Sequence, residues 1–419
     1  MRNMLPLLRA GVAVLLVAVD FALSQTNFWQ RTNGPSSQYL WSLAINASGH
    51  LFAGSGGDGV FRSTNNGDSW TQVNSGITHA TVNALAINAS GHLFAGTTSS
   101  GVYRSANNGD TWTAANSGMA NSTVYALAID SSGHLYAGTR SNGALRSTNS
   151  GSSWTAINVG LANNCVRALA ILASGDILAG TNSGGVFRST DNGNTWTAIN
   201  AGLPSYDVYA IASDANGYLY VGTDGGGVFR STDNGGTWAA INTGLLCNWF
   251  RCFAINSSGR LFAGGDACGA YRLADNGTSW TALNTGLTCP DVHALAFNSE
   301  GYLFAATWGN YGGVYRSVAS TTSMRLVEDI APIGYELGQN YPNPFNPVTA
   351  ISYQLPKQGH ITLKVYNVLG REVATLVNEV KEPGTHKVVW DATCLPSGVY
   401  LYEMTTRNTQ VSKKALLTK

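Results

Sequence analysis

The sequence predicts an all-β chain with two domains, a seven-bladed β-propeller followed by a small Ig-like β-sandwich. Three observations carry this expectation. Trp70, Trp112, Trp154, Trp196, Trp238 and Trp280 recur at a constant interval of 42 residues, a period that belongs to propellers, solenoids and arrays. Each period holds four short runs rich in Val, Ile, Thr and aromatics, bounded by Gly, Ser or Asn, and none keeps a 3.6-residue apolar period. From Gly334 onward the period stops, charged residues rise, and prolines separate the strand-like runs, as in an antiparallel sandwich.

Taken in order, residues 1–24 read as a secretory signal. Arg2 and Arg9 precede an apolar run at residues 10–19 and small residues at 22–24. The run is too short for a spanning helix; an N-terminal membrane anchor is the alternative. Residues 28–317 form the expected propeller. In one repeat the strands are expected at residues 82–87, 92–97, 101–105 and 111–116. First strands start near Leu40, Val82, Val124, Val166, Val208, Phe250 and Val292, which makes seven blades. The seventh lacks its Trp-bearing strand, and residues 28–33 supply the matching segment. The N-terminal strand is therefore expected to close the last blade and remove an open sheet edge. Residues 318–333 read as a linker. Residues 334–419 form the second domain, with strands expected at 350–355, 361–368, 387–390 and 399–404.

The turn between third and fourth strands reads Ser63-x-Asn65-x-Gly67-x-x-Trp70 and repeats around Asn107, Asn149, Asp191, Asp233 and Asp275. A short Asp or Asn side chain accepts backbone N–H groups in such a turn, and Gly supplies the positive φ. Trp offers an apolar wedge for the neighbouring blade. The pattern resembles the Asp-box, or BNR repeat, of sialidase-like propellers. That resemblance implies a structural turn lying away from the working face. A sialidase-like site would need three non-equivalent arginines, a tyrosine with a glutamate, and an aspartate. Here Arg62, Arg104, Arg146, Arg188, Arg230, Arg272 and Arg316 share one repeat position, which favours a structural ring. The propeller's one glutamate, Glu300, falls on the box side.

Tyr341-Pro-Asn-Pro-Phe-Asn-Pro347, Val365-Tyr-Asn-Val-Leu-Gly-Arg371, Gly398-Val-Tyr-Leu-Tyr402 and the Lys-rich end resemble the type A sorting domain of the type IX secretion system. The resemblance implies export by a Bacteroidetes-like bacterium to the cell surface or beyond. It also implies that the tail engages the secretion machinery and has no catalytic role. No further stretch is apolar enough to span a membrane in the mature chain.

With charged residues at 11% and a net charge of +1, no basic field gathers phosphates, so nucleic acid is not expected as a partner. Cys252–Cys268 is the first disulfide pairing to test and Cys247–Cys289 the second; free thiols are the alternative. Cys and His spacing suggests no metal site, and no motif calls for a cofactor.

Loops joining fourth to first and second to third strands share one face, and unlike the box turns they vary between repeats. Binding concentrates on such loops. Tyr206, Trp249, Phe250, Trp308 and Tyr311 are the candidate ligand-binding aromatics, with inter-blade packing as their bland alternative. Asp207 and Asp291 share a repeat position on that face, near Asp58, Asp224 and Asp266, and a glycosidase needs two such carboxylates. The preferred reading is a non-catalytic module binding a glycan or extracellular protein. A glycoside hydrolase using Asp207 and Asp291 is the alternative. An assembly factor like the Asp-box propellers of photosynthetic complexes is a third, disfavoured by the sorting tail.

Overall fold

The structure, a computed structural model, describes residues 27–35, 37, 39–78, 81–119, 122–204, 207–275, 277–321, 335–340, 342–381, 384–407 and 409–418. The expected signal segment, most of the expected linker and Tyr206 lie outside these. The chain divides into two units, Met1–Thr322 and Ser323–Lys419, each taken by itself.

Among the described residues, strands of the first unit form seven four-stranded antiparallel sheets. Six use consecutive strands, as in Val82–Ile87, Leu93–Thr97, Val102–Ser105 and Thr113–Ala114. The other combines Val292–Phe297, Leu303–Thr307 and Val314–Ser317 with Trp29–Arg31 at its edge. Trp29 lies opposite Ser317 there, and Arg31 opposite Tyr315. First strands neighbour one another in sequence order, and Leu40–Ile45 touches Val292–Phe297 as well as Val82–Ile87. The sheets therefore surround an axis, all-β as the period implies.

Burial explains the repeated sequence. Second strands such as Leu93–Thr97 are buried on both faces, so they read as continuous apolar runs rather than as an alternation. Fourth strands are shorter than expected, only Thr113–Ala114 in the second sheet. Trp112 leaves the ladder to clasp the sheet before it: its N–H donates to the Ser75 carbonyl at 2.7 Å and its indole Nε1 to the Val73 carbonyl at 2.8 Å. A Cβ at Gly76, where φ is +93°, would collide with the Trp112 carbonyl oxygen, so only glycine fits this joint. Trp154, Trp196, Trp238 and Trp280 repeat the clasp. Trp29 makes it too, donating from its backbone to Thr285 at 3.0 Å beside Gly286. Each buried indole contributes about 2–3 kcal/mol. Trp70 is half-buried and donates to Thr32 Oγ1 at 3.3 Å.

The turn chemistry takes the expected form. Ser63 Oγ donates to Asn65 Oδ1 at 3.0 Å, Gly67 N–H donates to Ser63 Oγ at 2.9 Å, and Ser69 N–H donates to Asn65 Oδ1 at 2.9 Å. Asn107, Asn149, Asp191 and Asp233 do the same. The sixth sheet departs: Leu273 replaces the serine, and Asp275 pairs with Arg260 at 3.2 Å. The ring arginines reach across to the next sheet's turn. Arg62, Arg146, Arg188 and Arg230 donate to the carbonyls of Asn108, Asn192, Asn234 and Gly277, and Arg316 to that of Asn66.

The start of the expected linker belongs to the first unit. Val318 N–H donates to the Phe28 carbonyl and the buried Thr321 to that of Gly301, both at 2.9 Å. The backbone after the last strand must satisfy its hydrogen bonds, and it does so on the propeller.

The second unit has two antiparallel sheets. Glu336–Leu337, Val348–Leu355 and Gly384–Asp391 form one; Glu372–Lys381, Gly359–Asn367, Gly398–Thr405 and Gln410–Leu417 form the other, in that order. Both feed one core, with Ile351, Tyr353 and Trp390 from the first meeting Leu363, Tyr402 and Ala415 from the second. Glu372–Lys381 and Gln410–Leu417 were not anticipated. Glu372, Glu379 and Lys414 sit on exposed positions and Lys381 and Lys413 on half-buried ones, which masked the alternation.

Candidate functional site

Every first strand carries the same irregularity. Pairing with the second strand skips one residue, between Leu40 and Ser42, Val82 and Ala84, and so on around the ring to Val292 and Ala294. The skipped residues are Trp41, Asn83, Tyr125, Arg167, Tyr209, Arg251 and His293, spaced 42 apart. A bulge leaves its extra residue out of the ladder and re-aims the side chain. All seven line one cavity of about 610 Å³, a size suited to a small ligand or one end of a larger one. Thr81, Thr98, Trp249, Asp266, Asp291 and Trp308, from the variable loops, complete its wall.

One side of the cavity is a ladder of alternating rings and guanidinium groups. Arg167 lies over Tyr125 at 4.8 Å and over Tyr209 at 4.6 Å, and Arg251 covers Tyr209 at 4.0 Å. These are cation–π contacts. Arg167 Nε donates to Asn182 Oδ1. Arg251 donates to Asp266 Oδ2 through Nε at 2.7 Å and through Nη2, while His293 Nε2 lies 3.1 Å from Asp266 Oδ1. Burial by itself would raise the Asp266 carboxyl, but His293 and Arg251 outweigh it and hold the group down at about 2. The aspartate is thus a fixed anion.

The other side is aromatic. The His293 ring sits 4.8 Å from Trp41 and stacks on Trp308 at 6.0 Å, with Tyr39 a further 5.2 Å from Trp308. Between the two sides Asn83 Nδ2 donates to Thr98 Oγ1 at 3.1 Å and to the Val124 carbonyl at 3.0 Å.

The sequence-predicted candidates separate on this frame. Trp249 and Trp308 line the cavity and are 49% and 38% exposed. Tyr311 is exposed but outside the lining, its carbonyl accepting from Tyr315 at 3.2 Å. Phe250 is no surface aromatic: it is 1% exposed and packs edge-on to Tyr271, because it occupies the inward position held by Val in most other first strands. Asp291 lines the cavity, whereas Asp207 does not. Asp207 accepts from Ser183 N–H and Oγ, and Asp291 from Ala267 N–H, in each case fixing the loop of the sheet before.

The disulfide joins Cys247 to Cys268, with Cα atoms 6.0 Å apart, so both expected pairings are corrected. Cys252 sits on a first strand with its thiol near the Gly264 and Val292 carbonyls, and burial pushes that thiol's pKa far up. Cys289 is buried, its Sγ 3.2 Å from the Trp308 carbonyl. The bond ties together the two loops that carry Trp249 and Asp266.

The bulge residues themselves escaped the sequence reading, which compared loops between repeats and not strands. Their signal was present: one position after the repeated Val, the repeats read Trp, Asn, Tyr, Arg, Tyr, Arg and His. A larger cavity of about 800 Å³ lies on the second unit, beside Lys357, His360 and Arg407, but its lining holds no carboxylate and no indole. Among the described residues, no cluster of His, Cys, Asp or Glu could hold a metal, and no helix is long and apolar enough to cross a membrane.

Fold and cavity together define a β-propeller with one divergent site on a repeating scaffold. The chain belongs to the DUF6242 beta propeller domain family, whose model matches residues 83–307. Residues 339–418 match the secretion system C-terminal sorting domain. That domain engages the secretion machinery and sends the protein to the bacterial cell surface or beyond.

Several solved structures share the fold. PorZ of Porphyromonas gingivalis, described as an essential bacterial surface component of the type-IX secretion system, is 18% identical with a TM-score of 0.54. The match covers 92% of this chain and 60% of PorZ, so the chain spans about 60% of that relative's length. YCF48, solved bound to D1 peptide, is 17% identical with a TM-score of 0.56, covering 70% of this chain and 97% of its own. The GH74 xyloglucanase of Xanthomonas campestris is 15% identical with a TM-score of 0.55, covering 92% and 67%. Identities this low speak for fold alone. No curated protein matches the sequence significantly.

Proposed function

We propose that the protein is a seven-bladed, Asp-box-type propeller carried outside the cell by an Ig-like sorting tail. Its central cavity binds a glycan or an extracellular protein and catalyses nothing. One observation carries this reading: seven equivalent bulge positions hold five different residue types inside a scaffold that otherwise repeats. All seven side chains line the cavity, so their differences set the chemistry that a ligand meets there. Exposed indoles at the mouth supply the large apolar area on which binding energy usually concentrates. The fold also accommodates a peptide in YCF48 and serves a xyloglucanase.

The full chain should give a glycan-array or pull-down signal that falls about tenfold or more in both Trp249→Ala and Trp308→Ala. Retention of full signal in both variants would remove the cavity from the proposal.

The hydrolase alternative keeps one supporting observation, since Asp266 and Asp291 both line the cavity. A general acid must hold a proton at working pH, and Asp266, held at about 2, does not. Cleavage of any member of a polysaccharide panel, lost in Asp291→Asn, would establish this alternative over the binding reading.

A further inference from the structure

We infer that the cavity binds a carboxylated sugar ring of the hexuronate type, with the carboxylate seated on Arg167. The inference rests on the binding reading above and names the ligand class of that site.

Charge matching inside the cavity is the starting point. Arg251 has a partner built in, because Asp266 accepts from it twice. Arg167 has none: among the described residues no carboxylate lies within ion-pair distance of it. Its partners are the neutral Asn182 oxygen and the faces of Tyr125 and Tyr209. Both rings lie against the guanidinium, and Asn182 takes Nε. Among the described residues neither Nη has a hydrogen-bond partner, and Arg167 lines the cavity. A guanidinium held between two rings and fixed at Nε has lost rotamer freedom before any ligand arrives, so a two-point contact with a carboxylate costs little further ordering.

The remaining walls select the body that carries the carboxylate. Trp41, Trp308 and the His293 ring present apolar faces, and Trp249 stands exposed at the mouth. Thr81, Thr98 and Asn83 supply hydroxyl and amide groups in the gap between the aromatic side and the ladder. An apolar face, an edge of hydroxyls and one carboxylate on a compact ring match these three walls together. Asp266 and Asp291 sit on the wall beyond Arg251, and they repel a second anion there.

The test uses the full chain in calorimetric titration with an oligogalacturonate of defined length, the same oligomer with its carboxylates methyl-esterified, and an oligomannuronate. Esterification removes the charge and keeps the ring. The expected result is binding of at least one free-acid oligomer. For the galacturonate pair, binding should weaken about tenfold or more on esterification. The same loss is expected in Arg167→Gln, with a partial loss in Arg167→Lys, which keeps the charge and removes the planar fork. Trp249→Ala should weaken acid and ester alike. Equal binding of acid and ester, or an unchanged Arg167→Gln in a variant of native thermal stability, would overturn the inference and leave the binding site standing. Failure of both acids while a neutral glycan or a protein binds in a Trp249-dependent way would also overturn it. Absence of any Trp249-dependent binding would take the underlying reading with it.

Discussion

Residues 40 and 41 are neighbours in the chain and have opposite fates, and the contrast holds around the ring. The first member of each pair (Leu40, Val82, Val124, Val166, Val208, Phe250 or Val292) is at most 1% exposed and nearly always aliphatic. The second faces the axis and varies between Trp, Asn, Tyr, Arg and His. One bond along the backbone separates a position packed between sheets from one that lines the cavity. Repetition marks the buried joints between sheets, and divergence marks the wall of the cavity.

The contrast breaks most severely at the joints. Trp196→Ala removes a 4%-exposed indole together with its hydrogen bond to Ile157, and should cost about 3–5 kcal/mol in a denaturant titration. A loss under about 1 kcal/mol would mean that the clasps are not what holds neighbouring sheets together.

Asp266 tests the cavity's internal ion pairs. Its folded pKa of about 2 lies below the ordinary 3.8, so the stabilisation is present above roughly pH 4 and is lost as pH falls through 2. Asp266→Asn should lower stability at neutral pH by on the order of 1–2 kcal/mol and flatten the acid side of the profile. Parallel urea midpoints for both proteins from pH 7 to pH 2 would contradict the pairing with Arg251 and His293.

The smallest effect belongs to the ladder. Tyr125→Ser removes one cation–π face and should cost within about 1 kcal/mol. A destabilisation equal to that of Trp196→Ala would show that the cavity wall supports the fold as much as the joints do.

Much of this was legible before any coordinates. The spacing of the indoles located the sheets, and Ser63, Asn65 and Gly67 announced their turn by residue type alone. Phe250 misled because an aromatic in a valine position reads as an exposed substitution until its burial is seen. The cysteines misled because repeat position is a poor guide to thiol direction: Cys252 points into the packing between sheets, while Cys247 and Cys268 meet above it. Trp249 and Trp308 were found through loop variation, and Arg167 and Arg251 were missed because they lie within strands.

Local chemistry written in the sequence determined the strands, the turns and the period, because each depends on residues a few positions apart. Only the tertiary structure decided which side chains share a cavity. Seven bulges separated by 42 residues become neighbours when the sheets close around an axis, and that closure depends on Trp29 meeting Leu283 from the opposite end of the domain.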